Sequence, residues 1–206
     1  MFNKFPLIIP VFPLSGVIYF PKTNLPLNVF EQRYLSLVND VVKKDKLMGM
    51  IQSTKINDKV YNVGCLGKIN DYQKGKDGKI LINLAGLTRF EIIGEIENSK
   101  LYREFKVNYE KFTLDTKPVI EKVNTVLLMK KAKIFFEKNG LLLNWKEFEK
   151  LDEVQKISTL AMIAPITNEE KQKLLESVSL NEKVQTLQDI INFYLHEVDF
   201  DNQTIQ

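Results

Sequence analysis

The amino-acid sequence predicts an α+β protein in which a mostly antiparallel β pseudobarrel with one inserted helix, residues 1–115, precedes a helical bundle, residues 116–206. Three observations carry this expectation. Five of the seven prolines lie in the first 26 residues and eight of the nine glycines in the first 94, which marks the front as strand and loop. The same region holds short runs rich in β-branched and aromatic residues, bounded by Gly, Asn or Asp. From residue 119 onward only Gly140 and Pro165 interrupt the chain, and paired capping residues announce helix starts.

Taken in order, strands are predicted at Leu7 to Val11, Leu47 to Gln52, Val63 to Tyr72, Lys79 to Leu84, Thr88 to Ile96 and Tyr102 to Phe112. Pro10, Pro13, Pro21 and Pro26 stiffen an extended crossing segment. Tyr34, Val38, Val41 and Val42 recur at helical spacing and place one helix from Phe30 to Lys44, with Glu31 at its positive dipole end. Lys74-Gly75-Lys76-Asp77-Gly78 is a hairpin turn, because Asp-Gly supplies the positive φ it needs, and Ala85-Gly86 makes a second break. About six strands are too few for an open two-sided sheet and suit a partly closed barrel. Behind them, Pro118 starts a helix that runs to about Lys138 and ends at Gly140. Asp152 with Gln155, Thr167 with Glu170, and Ser179 with Glu182 have capping-box spacing, giving four helices in all.

The rare residues exclude several function classes. A chain of 206 residues buries about 70% of its unfolded surface, so it does not need metal or disulfide staples. Cys65 is the single cysteine and His196 the single histidine, too few for a disulfide or a Cys/His zinc site. On the last predicted helix Val184, Leu187, Ile191, Tyr194 and Val198 form the apolar stripe; His196 falls off it and reads as a surface residue, not a catalytic base. Cys65, between Gly64 and Leu66, reads as a buried apolar residue, and Trp145 as a packing residue between helices. No cofactor or metal site is expected.

The net charge of +3 is too small to argue for nucleic acid by itself, although residues 1–115 carry +5 (17 basic, 12 acidic). The longest uncharged stretch, Phe5 to Pro21, is interrupted by proline and cannot be a spanning helix. No signal-peptide pattern is present, so the cytoplasm is the expected compartment.

The front end reads Phe12-Pro-Leu-Ser-Gly-Val-Ile-Tyr-Phe20-Pro and then Leu25-Pro-Leu-Asn-Val-Phe-Glu-Gln-Arg-Tyr34. Further on come Gly49-Met-Ile, Val63-Gly-Cys-Leu-Gly-Lys-Ile69, Asp77 to Phe90, and Tyr102-Arg103. In this order the segments resemble the N-terminal domain of Lon proteases, from residue 6 to about residue 112. Leu160-Ala-Met-Ile-Ala-Pro165 before a capped helix is similar to the helical part of short bacterial proteins that carry this domain alone. Gln32 departs from the family, in which many relatives carry proline there; a first-turn position accepts either. The resemblance implies a PUA-like pseudobarrel and a role in substrate recognition. Full-length Lon adds a nucleotide-binding module and a Ser-Lys peptidase. Neither is recognisable here: Gly64-Cys-Leu-Gly-Lys-Ile and Gly75-Lys-Asp-Gly-Lys-Ile have two residues where a Walker A loop needs four, and end in Ile.

Candidate site residues follow from scarcity and position. Arg33, Arg89 and Arg103 are the only arginines beside 26 lysines, which suggests a task for the planar five-donor fork. Pairing with Glu31, Glu91 or Glu104 is the structural expectation, and ligand contact the functional one. Tyr19, Phe20, Leu25, Leu27 and Phe30 form an apolar cluster on the proline-held segment; most of it belongs to the core, and one or two members are candidates for exposure to unfolded peptide. Glu31, Tyr34 and Phe90 complete the set of structural or ligand-contact candidates. The leading expectation is a non-catalytic module that captures unfolded or hydrophobic polypeptide, with a separate protease or chaperone as the candidate partner. The alternative is RNA binding, against which the lysine-rich, acid-interspersed charge pattern argues.

Overall fold

The computed structural model describes residues 5–54, 59–117 and 123–203, with side chains to residue 196. The chain divides into two compact units, Met1–Lys117 and Pro118–Gln206.

The first unit contains β1 (Ile8–Leu14), β2 (Asn24–Val29), α1 (Gln32–Val41), β3 (Leu47–Gln52), β4 (Val63–Lys74), β5 (Ile80–Ile96), β6 (Arg103–Asn108) and a 3₁₀ helix (Glu110–Thr116). The sheet order is β2-β5-β4-β3-β1-β6, and β6 also pairs with β5, which closes a five-stranded barrel and leaves β2 outside the ring. All pairings are antiparallel except β1 with β3.

Strand β1 runs through Pro10 and Pro13, beyond the predicted end at Val11. Ile8 to Pro10 pair only with β6 and Phe12 to Leu14 only with β3, while Val11 pairs with both. Each proline therefore lies where one side of the strand is unpaired and a missing N–H costs nothing. The two strands predicted around Ala85-Gly86 are one strand, β5. A register shift puts Gly67 opposite Gly86 and Leu66 opposite Thr88, so the expected break is a bulge that bends a continuous strand. Gly86 is required there: a Cβ would strike the Phe20 carbonyl. The segment that the sequence predicts as an extended crossing contains β2. Its period-two alternation of Asn24, Pro26 and Asn28 with Leu25, Leu27 and Val29 marks it as a strand exposed on one face. The expected last strand stops at Asn108, and Phe112 belongs to the 3₁₀ helix.

Two cores follow from strand alternation. Ile9, Val11, Ile51, Leu66, Phe90, Phe105 and Val107, one or two from each ring strand, fill the barrel. The opposite face supplies Phe12, Met48, Met50, Cys65, Ile69 and Ile82, which α1 covers with Tyr34, Leu37, Val38 and Val41 and β2 with Leu27 and Val29. Gly49 and Gly64 are small because the Phe90 ring occupies the space a Cβ would take.

The second unit contains α2 (Val126–Lys138), α3 (Trp145–Phe148), α4 (Glu153–Ile163), α5 (Asn168–Glu176) and α6 (Leu180–Gln203), one short helix more than the four expected. Helix α6 packs against α2, α4 and α5. The predicted start of α2 at Pro118 lies outside the described residues, and 123–125 are not helical. Gly140, at φ +68°, ends α2, with Leu141 N–H donating to Phe136 O at 2.9 Å as in a Schellman closure. The capping boxes at Asp152/Gln155 and Thr167/Glu170 are complete. At the third, Glu182 N–H donates to Ser179 Oγ, but the Glu182 carboxylate reaches back to Val178 N–H at 2.7 Å. Val184, Leu187 and Ile191 are buried as predicted, Tyr194 is half-buried, and His196 is exposed; the Val198 side chain lies outside the described residues. Trp145 packs edge-on to Phe136 and Phe148, with centroids at 5.9 and 5.4 Å. No helix among the described residues is long and apolar enough to cross a membrane.

Candidate functional site

The apolar cluster of the proline-held segment separates sharply by burial. Tyr19 (2% exposed), Phe20 (0%) and Leu27 (9%) are core, Leu25 is half-buried, and Phe30 is 63% exposed. Three of the five candidates thus cannot present side chains to a ligand. Phe20 is locked in by its surroundings: its carbonyl accepts from Thr23 N–H at 3.3 Å and Thr23 Oγ1 at 2.7 Å. The Tyr19 hydroxyl is buried with no hydrogen-bond partner among the described residues, and burial, assisted by Cys65, pushes its pKa far above the ordinary tyrosine value.

Phe30 follows the buried Val29, at the corner where β2 enters α1. That corner is held by short polar contacts. Glu31 caps α1 with an extended backbone but makes no side-chain cap bond, unlike the first-turn role expected of it. Its carboxylate instead accepts from Arg33 Nε at 3.1 Å and lies 3.0 Å from Nη2, both side chains being about half exposed. The Arg33 guanidinium stacks 4.5 Å above the Tyr34 ring. Tyr34 is buried, lies 3.8 Å from the Phe12 ring by centroid, and donates its hydroxyl to Pro13 O at 3.0 Å.

The other two arginines pair differently from expectation. Arg89 binds Asp115, not Glu91: its backbone N–H and Nε reach Oδ2 at 2.9 Å, and Nη2 reaches Oδ1 at 2.7 Å. Both side chains are buried (3% and 9% exposed), and the guanidinium stacks 4.3 Å from the Phe112 ring, so the 3₁₀ helix is clamped to β5. Arg103 grips Glu95 in a bidentate pair at 2.7 Å, while Glu104 is taken by Lys100 at 2.6 Å. The Arg103 bond holds the Glu95 carboxyl below its ordinary pKa. Register explains the swap: Glu104 faces Ile96 across β5–β6, and the adjacent residue of β6 brings the fork to Glu95. Sequence reading missed Asp115, whose only signal is that it trails an aromatic run, and Leu81, which is 48% exposed opposite Asn28.

Phe90 is the centre of the barrel and contacts no surface. Cys65 is fully buried. Among the described residues no group of His, Cys, Asp and Glu could hold a metal ion. The corner at Phe30 offers apolar contact beside paired charges.

Comparison with known proteins adds a family to this geometry. The family model for the ATP-dependent protease La (LON) substrate-binding domain matches residues 8–192. A Lon protease of Syntrophus aciditrophicus is 27% identical over 208 residues, covering 93% of this chain and 26% of that protein; one from Bacillus thuringiensis is 25% identical, covering 89% and 24%. The chain therefore spans about a quarter of the length of these curated relatives. The Lon N-terminal domain protein of Xanthomonas campestris superposes with TM-score 0.66 at 20% identity, over 87% of this chain and 96% of that one. The N-terminal domain of the Mycobacterium avium complex Lon protease gives 0.64 at 16%, over 90% and 98%.

Proposed function

The chain belongs to the family of Lon substrate-binding domains, and from that premise we propose that it is a non-catalytic module that captures unfolded or hydrophobic polypeptide segments at the corner between β2 and α1, for a separate protease or chaperone. The observation that carries the reading is Phe30. A phenylalanine left 63% exposed between a buried valine and a salt-bridged helix cap is fixed in place before any ligand arrives, so little conformational entropy is lost when it is covered. Leu25, half-buried near the start of β2 and about 17 Å along the extended chain from Phe30, is a second, separate apolar candidate.

The test is titration of the protein into fluorescein-labelled β-casein, an acidic and largely unfolded polypeptide. Binding is expected in the micromolar range, about −8 kcal/mol. Burial of nonpolar surface does not depend on screening, so affinity changes by no more than a few-fold between about 50 and 200 mM salt. Phe30→Ser removes an apolar contact worth about 1.5–3 kcal/mol, a loss of roughly ten- to hundredfold, without lowering the melting temperature. Absence of casein binding, or ATP hydrolysis or casein cleavage at stoichiometric turnover, refutes the reading. Affinity for RNA that falls by about 10³ over the same salt range, as release of counterions from six phosphates requires, would replace it with the nucleic-acid alternative.

A further inference from the structure

The sheet has an open edge, and its hydrogen-bonding pattern can be read off the register. Gly86 N–H donates to Thr23 O at 2.9 Å, so Thr23 faces β5; stepping by two residues, Leu25, Leu27 and Val29 face β5 as well. The other side of β5 agrees: Gly75 N–H donates to Lys79 O at 2.8 Å, so Leu81 and Asn83 turn to β4 and leave Ile80, Ile82 and Leu84 for β2. Asn24, Pro26 and Asn28 therefore point their backbone groups away from the sheet. Among the described residues no strand pairs with that side of β2, and all three side chains are exposed. Pro26 sits where its missing N–H faces outward, as a proline in an edge strand must.

We propose that this edge takes an acidic, extended polypeptide segment as an added strand, with Asn24 and Asn28 donating N–H groups and Asn24, Pro26 and Asn28 offering carbonyls. The proposal rests on the polypeptide-binding reading and specifies its mode. The three carbonyls repeat every second residue, about 7 Å apart, and the two donors every fourth, which is the spacing of an extended main chain and of no compact ligand. Beside Asn28 a shallow dish of about 270 Å³, floored by Leu81 and flanked by Gln73, can receive one side chain of the added strand. Lys22, just before the strand, and Lys74, on the rim of the dish, have no carboxylate partner among the described residues, whereas Lys79 beside them is held by Asp77 at 2.9 Å. Uncompensated cations at both ends of the edge select acidic side chains in the occupant.

The test uses the full chain and labelled β-casein. Asn28→Pro deletes one of the two outward donors and no bond to β5, and the residue before it is already extended; it is expected to weaken binding about tenfold or more, while Asn28→Ala, which keeps the N–H, binds as wild type. Lys22→Glu/Lys74→Glu weakens binding several-fold. Hydrogen exchange at the Asn24 and Asn28 amides slows when casein is bound, a readout that decides the matter even where Asn28→Pro does not fold. Wild-type affinity in a folded Asn28→Pro or in the charge-reversed variant, or unchanged exchange at both amides in the complex, overturns the edge while leaving polypeptide binding intact. No casein binding by the wild type overturns both.

Discussion

Asp115→Ala tests the clamp between β5 and the 3₁₀ helix. The carboxylate accepts three N–H bonds from Arg89, two from the guanidinium and one from the backbone, at 2.7–2.9 Å and with 9% of the side chain exposed. Removing it strands a buried guanidinium, which costs about 3–5 kcal/mol. With a urea m-value of about 2 kcal/mol/M, the midpoint falls by about 1.5–2.5 M. Arg89→Lys keeps a charge but can satisfy one oxygen instead of two, and should cost about 1–3 kcal/mol. The informative variant is the double replacement Arg89→Met/Asp115→Leu. It removes both charges and fills the space, so it should recover most of the loss and fall short by about 1 kcal/mol for the Arg89 N–H left without its acceptor. Urea titration by circular dichroism, with hydrogen exchange at the Arg89 amide, measures all three. A cost for Asp115→Ala below about 1 kcal/mol, or a double variant no more stable than the single one, refutes the reasoning, because either result means the pair is hydrated.

Tyr19→Phe deletes a buried hydroxyl with no hydrogen-bond partner among the described residues and should raise stability by about 1 kcal/mol, seen as a melting temperature about 3 °C higher; a fall of that size would reveal a partner for the phenol. The same site governs alkaline behaviour. Its folded pKa lies above the unfolded value of about 10, so its contribution is intact below that pH and is lost as pH rises above it; urea midpoints at about pH 8 and 11 should differ more in wild type than in Tyr19→Phe. Gly86→Ala places a Cβ against the Phe20 carbonyl and strains the bonds from Lys22 N–H and to Thr23 O, costing about 1–3 kcal/mol, whereas Gly94→Ala, with nothing within 4 Å, should be neutral or slightly stabilising by thermal melt.

How much was legible depends on whether the signal is local. The capping boxes at Asp152 and Thr167, the Asp-Gly turn and the strands around Met50 and Cys65 are set by residues a few positions apart, and they appear where the sequence puts them. The bulge at Gly86 was visible as a glycine, but whether it breaks or bends a strand depends on Gly67 across the sheet. Proline statistics concealed β2 and the second half of β1, because tolerance of Pro13 and Pro26 rests on which side of the strand is paired, a property of topology alone. Glu31, two residues from Arg33, is its partner as expected, whereas the partners of Arg89 and Arg103 depend on topology: Asp115 is 26 residues from Arg89, and Glu95 reaches Arg103 only through the β5–β6 register.

Burial then sorts the apolar candidates in a way that sequence cannot, and the sorting has a physical cause. On β2 the period of two sends Leu27 and Val29 into the core beneath α1, and the strand ends at Val29, so the next residue no longer follows the pleat. Phe30 is released from the alternation but is still gripped on both sides, by the Val29 core contact before it and by Glu31–Arg33 and Tyr34–Pro13 after it. An exposed aromatic on a slack loop would fold back over the nearest apolar surface. One held between a strand end and a helix cap has less such freedom, and leaving 63% of it exposed forgoes part of the roughly 1.5–3 kcal/mol that full burial of a phenylalanine gains. A fold that leaves this burial unused at one corner while its three arginines each pair with a carboxylate of the chain has apolar side chains and the β2 edge as the contacts on which the proposed polypeptide reading draws.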